Sequence, residues 1–208
     1  MTIDNPFWDA VKDFVEPDTY RGNPVVGQFR VDEPVAAAIA RLPNRQLLVR
    51  KYCWTIPDPD TVTFIADHAE AGLVDPLAGT GYWAYLLGQA GVEVCCYDLH
   101  PGAALHVNGW HGEDVYAEVT AMDCAPAVAA HPDRTLFLAW PPFGTDVGAR
   151  TLAAYQGDQV LYIGERRGGG TGDDDMHSIL ESSWTEIDSH EPVQWWGAND
   201  RVAVYRRS

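Results

Sequence analysis

The sequence predicts an α/β fold in which a mainly parallel sheet carries helices on both faces. From residue 71 onward, short apolar runs typical of buried strands alternate with stretches of helical periodicity. Several of these apolar runs end at a carboxylate or at a glycine turn. The preceding residues, up to about 57, carry helix signals and prolines and predict a small N-terminal helical cap. We therefore expect a cap segment at residues 1–57 and a main domain at residues 58–208.

Each element has its own sequence signal. A helix is predicted at 33–42 in the cap segment, and another at 58–69, where Asp58 or Asp60 supplies the N-cap carboxylate. Further helices are predicted at 82–90, 124–130 and 147–155, and one that begins in the Gly- and Asp-rich run 168–175 and continues through Leu180. Strands are predicted at 72–76, 92–97, 115–120, 135–139, 159–164, 185–189 and 201–207. We expect the C-terminal strand to run antiparallel to the rest of the sheet.

Ligands bind such sheets beyond the carboxyl ends of the strands. The segments 75–81 and 140–143, together with residues 98, 123 and 165, all fall at those ends. We therefore expect the functional site at this edge of the sheet.

The most informative segment is Gly79-Thr80-Gly81, where a strand runs directly into a helix. Gly79 and Gly81 can adopt backbone angles that other residues resist, and they let the main chain approach a ligand closely. The helix start then offers free N–H groups to polar or anionic ligand atoms. With Asp98 further along, the segment also satisfies the dinucleotide fingerprint Gly-x-Gly-x-x-Gly/Ala. The turn therefore predicts a nucleotide-like cofactor, and NAD remains one of the possible cofactors.

The composition disfavours several classes of binding partner. The chain has 30 acidic and 14 basic residues and a net charge of -16, which disfavours a large nucleic-acid footprint. We expect no signal peptide, because the first residues lack a basic start and an apolar run, and no membrane span. The four cysteines form no Cys-x-x-Cys pair, so we expect a reduced, cytoplasmic protein. His100, His106 and His111 match no metal signature, so no metal site is predicted.

The residues around the glycine turn resemble those of the class I S-adenosylmethionine-dependent methyltransferases, which have a Rossmann-like fold. That family carries an acid-x-Gly-x-Gly-x-Gly turn, to which Asp75, Gly79 and Gly81 correspond. Leu77 replaces the first glycine, and the turn is similar to the Asp-Pro-Phe-x-Gly-Ser-Gly form of amino-methyltransferases, which tolerates a large residue there. The resemblance covers roughly residues 71–207.

This resemblance implies S-adenosylmethionine as the cofactor. In the family, an acid at the end of the second strand binds the ribose hydroxyls, which implies that role for Asp98. An acid after the third strand commonly binds the adenine amino group, which implies that role for Asp123. Helix capping explains both carboxylates as well. The cofactor-binding residues implied are Asp75, Ala78, Gly79, Thr80, Gly81, Trp83, Asp98, Asp123 and Trp140.

A second motif, Trp140-Pro141-Pro142-Phe143, is similar to the Asp/Asn-Pro-Pro-Tyr/Phe motif of amino-methyltransferases. Trp140 departs from that pattern, and because an indole only donates hydrogen bonds, methylation of a nucleobase amino group is disfavoured. Trp140 can instead contact a sulfonium by a cation–π interaction or pack as a core side chain in a rigid turn. Phe143 can stack on a planar substrate, and we take Pro141 as a substrate contact too.

Three further residues complete the predicted site. Glu165 follows the fifth strand, where it can act as a general base or pair with a nearby arginine. Tyr52 and Trp54 either cover the cofactor and contact the substrate or dock the cap segment onto the sheet. We take Trp140 and Glu165 as catalytic candidates. The expected function is methyl transfer to a small-molecule or peptide-like acceptor; an NAD-dependent oxidoreductase and a non-catalytic binding protein remain alternatives.

Overall fold

A mixed seven-stranded sheet forms the centre of the molecule. The structure, a computed structural model, describes residues 3–15, 24–25, 43–69, 71–101, 112, 114–195 and 197–208. The helix predicted at 33–42, and His106 and His111, lie outside these residues. The strands of the sheet are β1 (Leu73–Asp75), β2 (Val94–Asp98), β3 (Thr120–Ala121), β4 (Thr135–Ala139), β5 (Gln159–Gly164), β6 (Trp184–His190) and β7 (Arg201–Arg207).

The strands lie in the order β3-β2-β1-β4-β5-β7-β6. β1 to β5 pair in parallel, whereas β7 runs antiparallel to both of its neighbours, β5 and β6. The sheet is thus mainly parallel with an antiparallel C-terminal strand, as the sequence predicts. The common dinucleotide-binding order is 3-2-1-4-5-6, so the insertion of β7 between β5 and β6 distinguishes this sheet from that order.

Helices cover both faces of the sheet. They are α1 (Pro6–Val11), α2 (Arg45–Lys51), α3 (Pro59–Asp67), α4 (Tyr82–Gln89), α5 (Cys124–Ala129), α6 (Val147–Ala154) and α7 (Asp174–Ser183). In β4 the side chains alternate: Phe137 packs in the cluster that contains α3 and α4, and Leu136 and Leu138 pack in the cluster that contains α5, α6 and α7. Because successive side chains of a strand point to opposite faces, a strand in a sheet that is buried on both sides has a continuous apolar sequence.

Most predicted elements match the observed bounds closely, but the third strand differs. It was expected at 115–120, and the structure instead pairs only Thr120–Ala121 with β2. The Tyr116 N–H donates to the Thr80 carbonyl (2.8 Å), and the Tyr116 ring packs edge-on against Tyr82 (4.8 Å). This segment therefore contacts the glycine turn and does not extend the sheet, which the alternating apolar pattern did not reveal.

The N-terminal residues described by the structure share the main hydrophobic core. Phe7 and Val11 of α1, and Ile56, are fully buried in the same cluster as Leu86 of α4. The Asn5 carboxamide oxygen accepts a hydrogen bond from the Tyr82 hydroxyl (2.9 Å). The cap segment thus packs directly on the helix that follows the glycine turn, and the boundary at residue 57 stays a prediction.

Candidate cofactor and substrate site

A cavity of about 470 Å³ opens at the carboxyl ends of β1, β2 and β4, where the sequence predicts the site. Its volume lies within the range of small-molecule binding sites. The cavity is lined by Val49, Tyr52, Cys53, Trp54, Asp75, Leu77, Ala78, Gly79, Thr80, Trp83, Asp98, Leu99, His100, Ala139, Trp140, Pro142, Phe143, Thr145, Val147 and Gly170.

The glycine turn forms the floor of the cavity. Gly79 and Gly81 have φ angles of 54° and 73°, in the left-handed region that favours glycine. A Cβ on Gly81 would lie 3.0 Å from the backbone nitrogen of Ala117, so a side chain there would press against the main chain. Gly81 also forms the N-cap of α4, which places the first turn of that helix beside the cavity.

Two buried carboxylates stand beside this turn. Asp98 ends β2, is 9% exposed, and accepts hydrogen bonds from the N–H groups of Gly79 (3.1 Å) and His100 (2.9 Å). Asp75 ends β1, is 2% exposed, and accepts a hydrogen bond from the Leu77 N–H (3.0 Å). Burial raises the pKa of Asp75 to about 7; the Leu77 N–H lowers this pKa, and the charge of Asp98 raises it.

The lining of the cavity is acidic. Among the lining residues that the structure describes, Asp75 and Asp98 are acidic, and neither lysine nor arginine is present. Because its pKa is about 7, Asp75 carries only part of a negative charge at neutral pH. A negative, low-dielectric cavity favours a cationic ligand group and opposes a pyrophosphate. The helix N-terminus adds only a partial positive charge.

Aromatic side chains from the cap segment and from the end of β4 form one wall. The indole rings of Trp54 and Trp140 stack with their centroids 4.9 Å apart and an interplanar angle of 18°; we call these two residues the tryptophan pair. Tyr52 stacks on Phe7 (5.4 Å), and its carbonyl accepts a hydrogen bond from the Thr80 hydroxyl (2.6 Å). Tyr52 and Trp54 therefore line the cavity, and Tyr52 also docks the cap segment. Their contact with a cofactor or substrate stays a prediction.

The backbone of Trp140 is unusual. Its φ angle is 50°, the one positive value at a non-glycine position in the part of the chain that the structure describes. The Trp140 N–H donates to the Ile163 carbonyl (2.8 Å), and the next carbonyl, that of Pro141, accepts from the Gly172 N–H (2.8 Å). Strained conformations of this kind persist when surrounding contacts fix them, and they cluster at functional sites.

The remaining predicted residues divide between the cavity and its surroundings. Ala78, Thr80 and Trp83 line the cavity, and Phe143 stands at its mouth with 64% of its surface exposed. Pro141 is not among the lining residues; its neighbour Pro142 is. Several lining residues carry no motif and were not predicted from the sequence: Val49, Cys53, Leu77 as a contact, Leu99, Thr145 and Gly170.

Asp123 and Glu165 lie outside the cavity lining. Asp123 caps α5 through the Cys124 N–H (2.9 Å) and pairs with the Arg150 guanidinium. Glu165 accepts hydrogen bonds from two backbone N–H groups, those of Asn199 (2.8 Å) and Gly170 (2.5 Å). These contacts give both carboxylates a structural role in the observed conformation, and their predicted cofactor and catalytic roles stay predictions.

Two further features of the described residues concern metal binding and membrane insertion. No group of three or more His, Cys, Asp or Glu side chains in these ranges is placed to hold a metal ion. Within the same ranges, no helix is long and apolar enough to cross a membrane.

The sheet order, the helices on both faces and the cavity at the strand ends define a Rossmann-like α/β protein. No protein-family model matches the chain, and no curated protein matches it by sequence.

Similar solved structures include three methyltransferases. The 1,6-didemethyltoxoflavin-N1-methyltransferase of Burkholderia thailandensis, with bound 1,6-didemethyltoxoflavin and S-adenosylhomocysteine, is 17% identical, with a TM-score of 0.49 and coverage of 72% of this chain and 77% of that one. Magnesium protoporphyrin IX methyltransferase of Synechocystis, with bound S-adenosylmethionine, is 13% identical, with a TM-score of 0.45 and coverage of 72% and 77%. An rRNA methylase of Streptococcus thermophilus is 14% identical, with a TM-score of 0.43 and coverage of 71% and 94%. At identities this low, the similarity does not show that this chain binds or methylates the same molecules.

Proposed function

We propose that the protein is an S-adenosylmethionine-dependent methyltransferase. The observation that carries this proposal is the cavity beside Gly79–Gly81, in which Asp98 and, in part, Asp75 supply negative charge. No lysine or arginine lines the described wall. A sulfonium cofactor has a cationic centre that such a cavity favours. The inserted antiparallel β7 supports the same class, because the resemblance implies an antiparallel C-terminal strand.

The residues present fit this cofactor. Asp98 stands at the end of β2, where a carboxylate can accept hydrogen bonds from both ribose hydroxyls. Gly79 lines the cavity and has no side chain that would keep a ligand from the main chain. Gly81 is not a lining residue, and the absence of a side chain there lets the turn pack against Ala117. The tryptophan pair presents aromatic surface that attracts a cationic sulfur or methyl group. Asp123 contributes to adenine binding only if its ion pair with Arg150 rearranges.

When bound, S-adenosylmethionine supplies an electrophilic methyl group for in-line displacement. The chain contributes orientation: rigid strand ends and the stacked tryptophan pair restrict the position of the acceptor relative to that methyl group. The stacked rings of Trp140 and Trp54 join the cap segment to the end of β4 and give this wall an apolar surface. Glu165 would act as a base only after release of the backbone N–H groups that it now accepts from.

The acceptor that fits best is a small molecule or a peptide-like group. The mouth of the cavity carries exposed apolar side chains, Leu99 (58% exposed) and Phe143 (64% exposed). The net charge of -16 opposes binding of a phosphate backbone. The Trp140 side chain offers no acceptor atom for a nucleobase amino group.

Calorimetric titration with S-adenosylhomocysteine and, separately, with NADH tests the proposal against the oxidoreductase alternative. We expect S-adenosylhomocysteine to bind and NADH not to bind. The Asp98→Asn variant should bind S-adenosylhomocysteine more weakly, whereas Asp133→Asn, at an exposed loop position, should bind as the wild type does. Binding of NADH alone would refute the proposal, and equal affinity of Asp98→Asn and the wild type would remove Asp98 from the site.

A further inference from the structure

Asp200 is a buried carboxylate that no motif marks. It lies just before β7, is 4% exposed, and is fixed by reciprocal hydrogen bonds with Gln194: its N–H donates to the Gln194 carboxamide oxygen (2.8 Å), and its carbonyl accepts from the Gln194 amide (2.6 Å). Its Oδ2 accepts a hydrogen bond from the Thr55 hydroxyl (2.8 Å). Thr55 follows Trp54 directly, so this contact anchors the cap-segment half of the tryptophan pair.

The other half of the tryptophan pair and Asp200 each have a buried polar atom without a partner. The Trp140 Nε1 and the Asp200 Oδ1 are both buried, and neither has a hydrogen-bond partner of normal geometry among the residues that the structure describes. Burial raises the pKa of the Asp200 carboxyl, and the Trp140 indole N–H lowers it. A buried N–H and a buried carboxylate oxygen that both lack a partner are each costly, and a small shift that joins them removes both costs.

We infer that Asp200 is a positioning residue for the cavity wall: one carboxylate holds Trp140 through its indole N–H and Trp54 through the adjoining Thr55. This role explains how the positive φ angle of 50° at Trp140 is maintained, because that backbone is fixed by Ile163 while the ring is fixed from behind by Asp200. The use of this wall in methyl transfer rests on the proposed function, but the positioning itself does not.

Other charged and titratable groups surround Asp200. Burial raises the pKa of Asp200 to about 6; Glu165 also raises it, and the Thr55 hydroxyl, the Trp140 N–H and the positive charge of Arg45 lower it. Burial raises the pKa of Cys53 and of Tyr162, and the charge of Asp200 raises both further. Arg45 is the competing donor, because its Nε is also buried without a partner among the described residues.

The test follows the indole N–H signals of nitrogen-labelled protein in proton–nitrogen correlation spectra between pH 4 and 8, a range set to bracket the pKa of Asp200 of about 6. The Trp140→Phe variant identifies the Trp140 signal. We expect this signal to shift with a midpoint near pH 6, to lose the shift in Asp200→Asn, and to keep it in Arg45→Gln and Glu165→Gln. The signal of Trp184, which packs in the other core cluster, serves as the internal reference.

A Trp140 signal that does not titrate, or that titrates equally in Asp200→Asn, would overturn the inference, as would loss of the shift in Arg45→Gln alone. If Asp200→Asn does not fold, Thr55→Val decides: loss of the hydroxyl removes a hydrogen bond to the ionised carboxylate, so the midpoint must rise. An unchanged midpoint in Thr55→Val would count against the inference.

Titration with S-adenosylhomocysteine separates this inference from the proposed function. We expect about tenfold weaker binding by Asp200→Asn, the effect of losing one hydrogen bond to a charged group. A wild-type protein that shows the Trp140 titration but binds no S-adenosylhomocysteine would refute the proposed function and leave the positioning role intact. Binding without the titration would refute the positioning role alone.

Discussion

Substitution of Gly81 by alanine tests the geometry of the glycine turn. Gly81 has a φ angle of 73°, and a non-glycine residue in this left-handed region costs about 1–2 kcal/mol. The new Cβ would also lie 3.0 Å from the backbone nitrogen and the Cβ of Ala117. Because backbone yields less easily than a flexible side chain, this overpacking costs about 1–3 kcal/mol more. We therefore expect a loss of about 2–5 kcal/mol in the free energy of unfolding.

Two other glycines provide matched controls. Gly91 has a φ angle of 88°, but a Cβ there would meet nothing within 4 Å, so Gly91→Ala carries the conformational cost alone. Gly88 lies in α4 with open space around it and an ordinary φ angle, and Gly88→Ala should stabilise the protein by about 0.5–1 kcal/mol. The difference between Gly81→Ala and Gly91→Ala isolates the contact with Ala117.

Thermal and urea unfolding of the three variants measures these free energies. For a domain of this size, each kcal/mol shifts Tm by about 2–4 °C, so Gly81→Ala should melt well below Gly91→Ala. Equal shifts in these two variants would refute the contact between the turn and residues 116–117. A Gly81→Ala variant as stable as the wild type would refute the left-handed turn itself.

Three further changes address charged residues. Asp98→Asn should weaken binding of S-adenosylhomocysteine by about 10- to 100-fold, the loss of one or two hydrogen bonds to a charged acceptor, as measured by calorimetry; an undiminished affinity would contradict this. The pKa of Asp75 is raised to about 7 in the folded state, so the folded protein binds more protons than the unfolded chain between about pH 4 and 7. Asp75 therefore lowers stability as pH rises through that range, and Asp75→Asn should raise Tm at pH 8 more than at pH 4; the opposite order would exclude this cause. Glu186 accepts two hydrogen bonds from the buried Arg201 guanidinium (2.6 and 2.7 Å), and Glu186→Ala should cost about 2–4 kcal/mol in urea unfolding by leaving that charge unpaired; a loss below about 0.5 kcal/mol would show that solvent compensates.

The strands of the sheet were the most predictable part of the fold. The bounds of β4, β5 and β7 equal the predicted ranges 135–139, 159–164 and 201–207. Each is an apolar stretch buried by the sheet, so its local pattern already reflects its environment. The segment 115–120 has a similar pattern, but its tyrosine contacts the glycine turn, and only contacts with a distant segment decide that outcome.

The residues of the candidate site also include some whose position the sequence predicts and some whose contacts it does not. The sequence places Gly79–Gly81, Asp75, Asp98 and Trp140 at one sheet edge, because all parallel strands of such a sheet present their carboxyl ends on the same side. It also places Asp123 and Glu165 near that edge. Their side chains turn instead to Arg150 and to two backbone N–H groups, which no spacing in the sequence indicates.

The sequence by itself determined the α/β class, the glycine turn and the edge of the sheet at which the cavity opens, because these depend on local backbone preference and on the period of burial. Only the tertiary structure decided which side chains form the cavity wall. Trp54 and Trp140 stack although one comes from the cap segment and the other directly follows β4. The Thr55 hydroxyl donates to the Asp200 carboxylate across 145 positions of sequence. Such contacts depend on the tertiary fold of the whole chain, which local sequence patterns do not specify.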